Sequence, residues 1–153
     1  MNGLTWLLFG MPSLLSAQQI DCTWLMVDTA ARVATFQLIA GGTHFNGFSN
    51  GALTFTVPLN WKVAIALRSQ DSVTRSVTVI DSVKPLPTGA VAAAFPGAMT
   101  GAAADTLRFV ATKAGSYLIL GRVPGQGSAS MWMRFRVSAT DARPKLSAPA
   151  AAR

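Results

Sequence analysis

The chain contains no glutamate, one cysteine, one histidine and one tyrosine in 153 residues, and only 12% of it is charged. Each shortage removes a class of chemistry. Acid/base and nucleophilic catalysis need positioned His, Glu, Asp or Cys side chains. The acids here are six aspartates standing singly, at Asp21, Asp28, Asp71, Asp81, Asp105 and Asp141. There is no Gly-rich phosphate loop, no paired-cysteine motif and no nucleophile elbow, so the sequence argues against an enzyme. One cysteine permits no intramolecular disulfide, and one histidine cannot supply two imidazoles to a metal. Cys22 has no flanking His, Lys or Arg to activate its thiol and reads as a small strand residue. His44 reads as an ordinary loop histidine.

The charge that is present is one-sided. Thirteen Lys and Arg face six acids, for a formal net charge of +7. Such a bias favours acidic protein faces or anionic lipid headgroups. Nucleic acid is not expected, because no basic cluster, recognition-helix pattern or aromatic RNA-binding motif occurs. With half of its residues hydrophobic, the chain must build its surface from Ser, Thr, Asn, Gln, Gly and Ala, which suits a protein held against a partner. Its length suits one domain with short tails.

Residues 1–20 read as a hydrophobic leader or a retained anchor. MNGLTWLLFGMPSLLSAQQ carries an apolar run from Leu4 to Leu15 followed by small and polar residues, like a secretory signal. No Lys or Arg precedes the run, and cleavage after Ala17 would leave Leu15 where a small residue is preferred. The run is shorter than the ~20 residues that span a bilayer. Either reading exports the domain to a periplasmic or extracytoplasmic, membrane-associated place. A retained segment would bury Trp6 and Phe9 in lipid or against a membrane partner.

Residues 21–139 read as one all-β domain. Short runs of alternating or β-branched apolar residues recur between turn signals: Cys22–Val27, Val33–Ala40, Ala52–Val57, Trp61–Leu67, Ser76–Ile80, Thr106–Ala111, Tyr117–Leu120 and Ser130–Val137. Ala52–Val57, Trp61–Leu67 and Ser76–Ile80 read as two hairpins that supply the packed faces of a sandwich. The loop GGTHFNGFSNG holds two Asn-Gly turn signals, at Asn46 and Asn50. From Lys84 to Asp105 the chain is uncharged and rich in Ala, Gly and Pro. It reads either as an insertion or as a cover in which Val91, Phe95 and Met99 close the domain or touch a partner. Residues 140–153 form a Pro/Ala-rich basic tail, expected to be disordered or laid as an extended arm on a neighbour.

The last strand pair is the most informative stretch. In YLILGRVPGQGSASMWMRFRV, Met131, Met133, Phe135 and Val137 point one way, while Trp132, Arg134 and Arg136 point the other. This loop, together with FNGFSNGALTFTVPLNWKVAIALRSQ (Phe45–Gln70), resembles the cupredoxins, and in particular the sulfocyanin-like members, over roughly Cys22 to Ser138. Their copper loop carries a Tyr, a Cys, a Gly-His and a Gly-Met-Trp in that order. Tyr117, Gly125, Met131 and Trp132 stand in matching places. The Cys position holds Gly121, the His of the loop is Gln126, the earlier His falls on Arg75, and only the axial Met131 remains.

The resemblance implies an all-β, cupredoxin-like Greek-key β-sandwich with a short N-terminal hydrophobic segment and an extended C-terminal tail. A blue-copper site takes two imidazoles and a thiolate in one trigonal set, which this chain cannot assemble alone. A guanidinium at Arg75 would place a permanent cation where the metal sits. The implied role is a copper-free structural or docking subunit, without cofactor, of an exported respiratory or photosynthetic electron-transport complex. A reaction centre or cytochrome subunit is the kind of partner expected. The contact face expected is Trp132, Arg134 and Arg136 with Arg75, Arg122 and Gln126, because Trp and Arg serve most often as interface anchors. The alternative is a periplasmic electron carrier or Cu(I)-binding protein in which Met131 acts with Met133, Met99 or His44. Asp71, four residues before Arg75, is placed to form a local ion pair with it.

Overall fold

The computed structural model describes residues 19–82, 86, 91–100, 106–123 and 131–149. A single 3-10 turn, Cys22–Trp24, precedes the strands β1 (Leu25–Asp28), β2 (Val33–Gly41), β3 (His44–Phe45), β4 (Thr54–Pro58), β5 (Lys62–Ser69), β6 (Ser76–Asp81), β7 (Thr106–Val110), β8 (Gly115–Arg122), β9 (Met131–Ser138) and β10 (Lys145–Ser147). They form two sheets. The first has the order β1-β2-β5-β7 with β3 paired to β2, and the second has the order β10-β4-β9-β8-β6. Among the described residues no helix is long and apolar enough to cross a membrane.

Alternation decides which side of each strand is buried. Along β2, Ala34, Phe36, Leu38 and Ala40 are buried while the residues between them are half-exposed. Along β9, Met131, Met133, Phe135 and Val137 face the core, with Arg134 and Arg136 outside. Burying an aliphatic or aromatic side chain stabilises by roughly 1.5–3 kcal/mol, so a register slip of one residue would forfeit a whole face.

Alternation does not decide which strands are neighbours. The expected hairpins β4–β5 and β5–β6 do not form. β5 runs parallel to β2 in the first sheet, while β4 runs parallel to β9 in the second, and from β3 to β8 every connection crosses between sheets. This is a Greek-key sandwich. The Pro58–Trp61 turn makes one crossing, with Asn60 in the left-handed region at φ 67° and its N–H donated to Ala111 O at 2.7 Å.

An aromatic chain joins the sheets. Phe135 of β9 lies 5.5 Å from Phe55, 5.8 Å from Phe109 and 5.9 Å from Tyr117, and Phe55 continues to Phe36 at 5.0 Å. Burial pushes the Tyr117 phenol pKa up, with the Asp81 charge adding to it, and the hydroxyl donates to Lys113 O at 2.7 Å. That bond satisfies the one polar atom this ring carries into the core.

The described part of the Ala-rich segment, residues 91–100, is a plug and not a free insertion. Ala94 N–H and Thr100 N–H donate to Val79 O and Val77 O, and Val79 N–H donates to Ala98 O, so residues 94–100 cover the open edge of β6. Phe95 inserts into the core, 5.3 Å from Phe109 and 4.8 Å from Tyr117. Val91 and Leu86 pack on a small outer cluster of Ile80, Leu118 and Leu120. Met99 does not cover the core and is 54% exposed.

Two further expectations change. The chain enters β1 through a 3-10 turn capped by the Asp21 carboxylate, which accepts the Thr23 N–H at 2.8 Å. The run expected as a strand from Cys22 therefore pairs only from Leu25, and Trp24 packs edge-on to Phe48. In the described part of the tail, Lys145–Ser147 is extended and adds to β4 of its own sheet. Leu146 packing on the core is the reason.

Candidate functional site

The topology gathers at one end of the sandwich the described residues that the resemblance ties to copper, Arg75, Gly121 and Met131. The ends of β2, β5 and β8 meet there with β3 and the starts of β6 and β9. Gly121 ends the buried run of β8, paired with Val77 on one side and Met131 on the other. A Cβ on Gly121 would lie 2.7 Å from Phe45 Cζ and 2.9 Å from Met131 Cε. Phe45 is fully buried and Met131 is 1% exposed. The volume a cysteine side chain would use is therefore filled by an aromatic ring and a thioether.

Asn46 holds this ring in place. Its Oδ1 accepts the Ile39 N–H at 2.8 Å and its Nδ2 donates to Gln37 O at 2.9 Å, closing the edge of β2 beyond the reach of β1. The residue sits at φ 52°, a conformation that Asn tolerates better than most side chains. The Asn-Gly turn signal pointed to this position, but its task of seating Phe45 was not visible locally.

Arg75 is corrected from a contact residue to an internal one. It is only 4% exposed. Nη1 and Nη2 donate to the two Asp71 carboxylate oxygens at 2.6 and 2.8 Å, the bidentate geometry that suits a guanidinium. Asp71 also accepts the Val73 N–H at 3.1 Å and a backbone bond from Gly42, tying the β5–β6 loop to the β2–β3 turn. The ion pair foreseen from the spacing exists, but it is a partly buried clamp.

The Arg75 hydrogen bonds hold the Asp71 carboxyl well below its ordinary 3.8, with burial opposing and Val73 assisting. A folded-state pKa below the unfolded one contributes stability that is complete above the unfolded value and is lost as pH falls. Asp21, held down by Thr23, and Asp141, held down by Ser138, act in the same sense. The thermal midpoint is therefore expected to fall as pH drops below about 4. Asp71→Asn should flatten that limb; a limb unchanged in the variant would mean the pair contributes nothing.

The remaining described candidates share one face. Arg122, Trp132, Arg134 and Arg136 all project from the outer side of the second sheet, as their register on β8 and β9 requires. Arg134 and Arg136 are exposed. Trp132 is half-buried, with the Arg134 guanidinium 5.4 Å from its ring centroid and its ring seated on Gly51 at φ 70°. Arg134 Nε also donates to Gly51 O at 3.2 Å. Gln126, Trp6 and Phe9 lie outside the described residues.

The donor set does not fit copper. His44 is half-buried in β3 with Nδ1 unbonded in the described structure, and Cys22 is exposed in the entry turn. Among the described residues no three His, Cys, Asp or Glu side chains cluster to hold a metal. Met131 and Met133 are each 1% exposed within the core, so their thioethers already have apolar partners.

Comparison with known proteins agrees with this architecture. Rusticyanin from Thiobacillus ferrooxidans superposes with a TM-score of 0.50 at 16% identity, over 76% of this chain and 88% of that one. A rusticyanin variant superposes at 0.51 with 15% identity, over 75% and 87%. Auracyanin A, a "blue" copper protein from Chloroflexus aurantiacus, gives 0.48 at 17% identity, over 69% and 99%. A search among curated protein sequences finds no match. The family model for the Sulfocyanin (SoxE) domain matches residues 27–147, most of the chain and all of the paired strands from β2 to β10, and the chain belongs to that family.

Proposed function

We propose that this protein is a copper-free member of its family, kept as a structural or docking subunit of an exported, membrane-associated electron-transport complex. Cupredoxin-like domains are electron-transfer-related and generally not enzymes. The observation that carries the copper-free reading is the packing at Gly121, where Phe45 and Met131 fill the volume a thiolate would need. With Arg75 spent on Asp71, the end of the sandwich associated with the metal becomes a hydrophobic and ionic lock. What remains for selection to use is the surface. Arg134 and Arg136 beside Trp132 present two cations and part of an indole on one face, a combination that anchors acidic partners. A respiratory or photosynthetic complex, with a reaction centre or cytochrome subunit as neighbour, is the setting.

The test is purification from native membranes in mild detergent, with mass spectrometry of everything that travels with the chain and metal analysis of the same sample. Electron-transport subunits at fixed stoichiometry and no copper are expected. The chain alone with bound copper would overturn the reading in favour of a carrier. Arg134→Glu with Arg136→Glu is expected to abolish co-purification while the domain stays folded, with the midpoint lowered by no more than several degrees for the lost Gly51 and Trp132 contacts of Arg134. Undiminished co-purification would remove these residues from the contact.

A further inference from the structure

The first sheet has an outer face that neither apolar cluster of the described residues reaches. Its register places four rows across the strands. Met26, Thr35, Ala64 and Arg108 form one row, and Asp28, Val33, Lys62 and Val110 form the next. Gln37, Ala66 and Thr106 follow, then Ile39 beside Arg68. Alternation puts Val63, Ile65, Leu67, Leu107 and Phe109 inside, so the residues in these rows face outward.

This face is neither a core face nor an ordinary polar one. Two alanines on β5 lower its centre, and a groove of about 340 Å³ runs along Ala64 between Val33, Lys62, Arg108 and Val110. A second hollow of about 280 Å³ adjoins it at Val33, bounded by Met26 and Thr35. Met26 is 61% exposed and Val110 40% exposed, unusually open for such side chains.

Among the described residues no acid is paired with the cations around the groove. Lys62, Arg68 and Arg108 are exposed. Of the described residues, those in ion pairs are Arg75 with Asp71 and Lys145 with Asp141, so these three cations have no acid partner. Among the described residues the acid on this face is Asp28, at the β1 edge, where it accepts the Ala31 N–H at 3.0 Å.

We infer that the outer face of the first sheet is a second docking surface, which receives an acidic protein face inserting apolar side chains along Ala64 and setting carboxylates against Lys62, Arg68 and Arg108. A second copy of the chain is a poor occupant, because a two-fold contact would bring these cations against one another. A membrane is poor as well. Interfacial binding needs a continuous apolar surface that enters lipid, and here Met26 and Val110 stand at the margins of a recessed floor flanked by exposed cations. This surface lies on the opposite side of the sandwich from Arg134 and Arg136, so the inference goes beyond the role proposed above and places the domain between two partners.

The test uses the full chain in its native membrane, with a photo-crosslinking phenylalanine analogue at Val110. The expected product is one adduct to a different polypeptide, at a peptide rich in Asp and Glu. Its yield should fall about tenfold in roughly 0.5 M salt and at least as far in Lys62→Glu with Arg108→Glu. Lys62→Gln with Arg108→Gln, which adds no repulsion, should reduce it less and serves if the reversal variant fails to fold. Arg134→Glu with Arg136→Glu should leave this adduct unchanged, which separates failure of this surface from failure of the other. An adduct to lipid or to a second copy, an adduct to a neutral or basic peptide, no adduct, or a yield indifferent to both charge changes would each overturn the inference.

Discussion

Phe135→Ala is expected to lower the unfolding free energy by about 3–5 kcal/mol, the cost of removing a buried aromatic and leaving a cavity. Phe135 is 1% exposed. Its ring neighbours come from both sheets: Phe55 and Tyr117 from the second and Phe109 from the first. Phe109 and Tyr117 also hold Phe95, so the cavity would open beneath the plug that covers the β6 edge. For a domain of this size each kcal/mol moves the midpoint by roughly 2–4 °C, so the expected fall is about 6–20 °C. Urea unfolding at neutral pH measures it. A loss under about 1 kcal/mol would mean that the sheets do not close on this ring as described, since conservative core changes cost that much.

Gly121→Cys is expected to destabilise the domain by about 1–3 kcal/mol, the usual cost of overpacking a filled core, and to produce no blue colour when Cu(II) is added. Gly121 is not among the positive-φ residues, so its backbone would accept a side chain. The obstacle is steric, from Phe45 and Met131. Met131 is flexible at its end, but the Phe45 ring is fully enclosed. Shrinking it with Phe45→Leu should therefore relieve part of the Gly121→Cys penalty, with a coupling of roughly 0.5–3 kcal/mol in the double-mutant cycle. Additive effects would show that Phe45 does not occupy the space. Colour should stay absent even in the double variant, because a trigonal blue-copper set needs two imidazoles and the chain has one histidine. Blue absorbance would mean that a second chain supplies a ligand.

Much of the fold was legible because a strand with one face in the core writes its period into the sequence. The alternation from Met131 to Val137 reads directly as buried and exposed sides. The Asn-Gly pair at Asn46 marked a turn and fell on a residue with positive φ. The pairing of β4 with β9 and of β5 with β2 was not legible, because Leu53 to Val57 or Trp61 to Leu67 would bury the same face beside any neighbour. Phe95 gave no local sign of its destination, since one aromatic in an Ala/Gly/Pro run says nothing of the hole it fills. Arg75 misled for the same reason. The spacing showed that Asp71 could reach Arg75, but not that the fold would bury the guanidinium by tying the β5–β6 loop to the turn at Gly42.

The sequence by itself determined the class and the counts: an all-β chain with one imidazole where a blue-copper set takes two, a single-sided charge and no motif that points to catalysis. These follow from counts and from the two-residue period, which are properties of residues and of nearest neighbours along the chain. Only the tertiary structure decided that Phe45 and Met131 occupy the space beside Gly121, that the Asp71–Arg75 pair is drawn inward, and that exposed cations divide between two opposite faces. Those facts depend on which distant segments meet. The free energy of such contacts comes from volume filled and charge paired across sheets, and neither is a property of any stretch of sequence read alone.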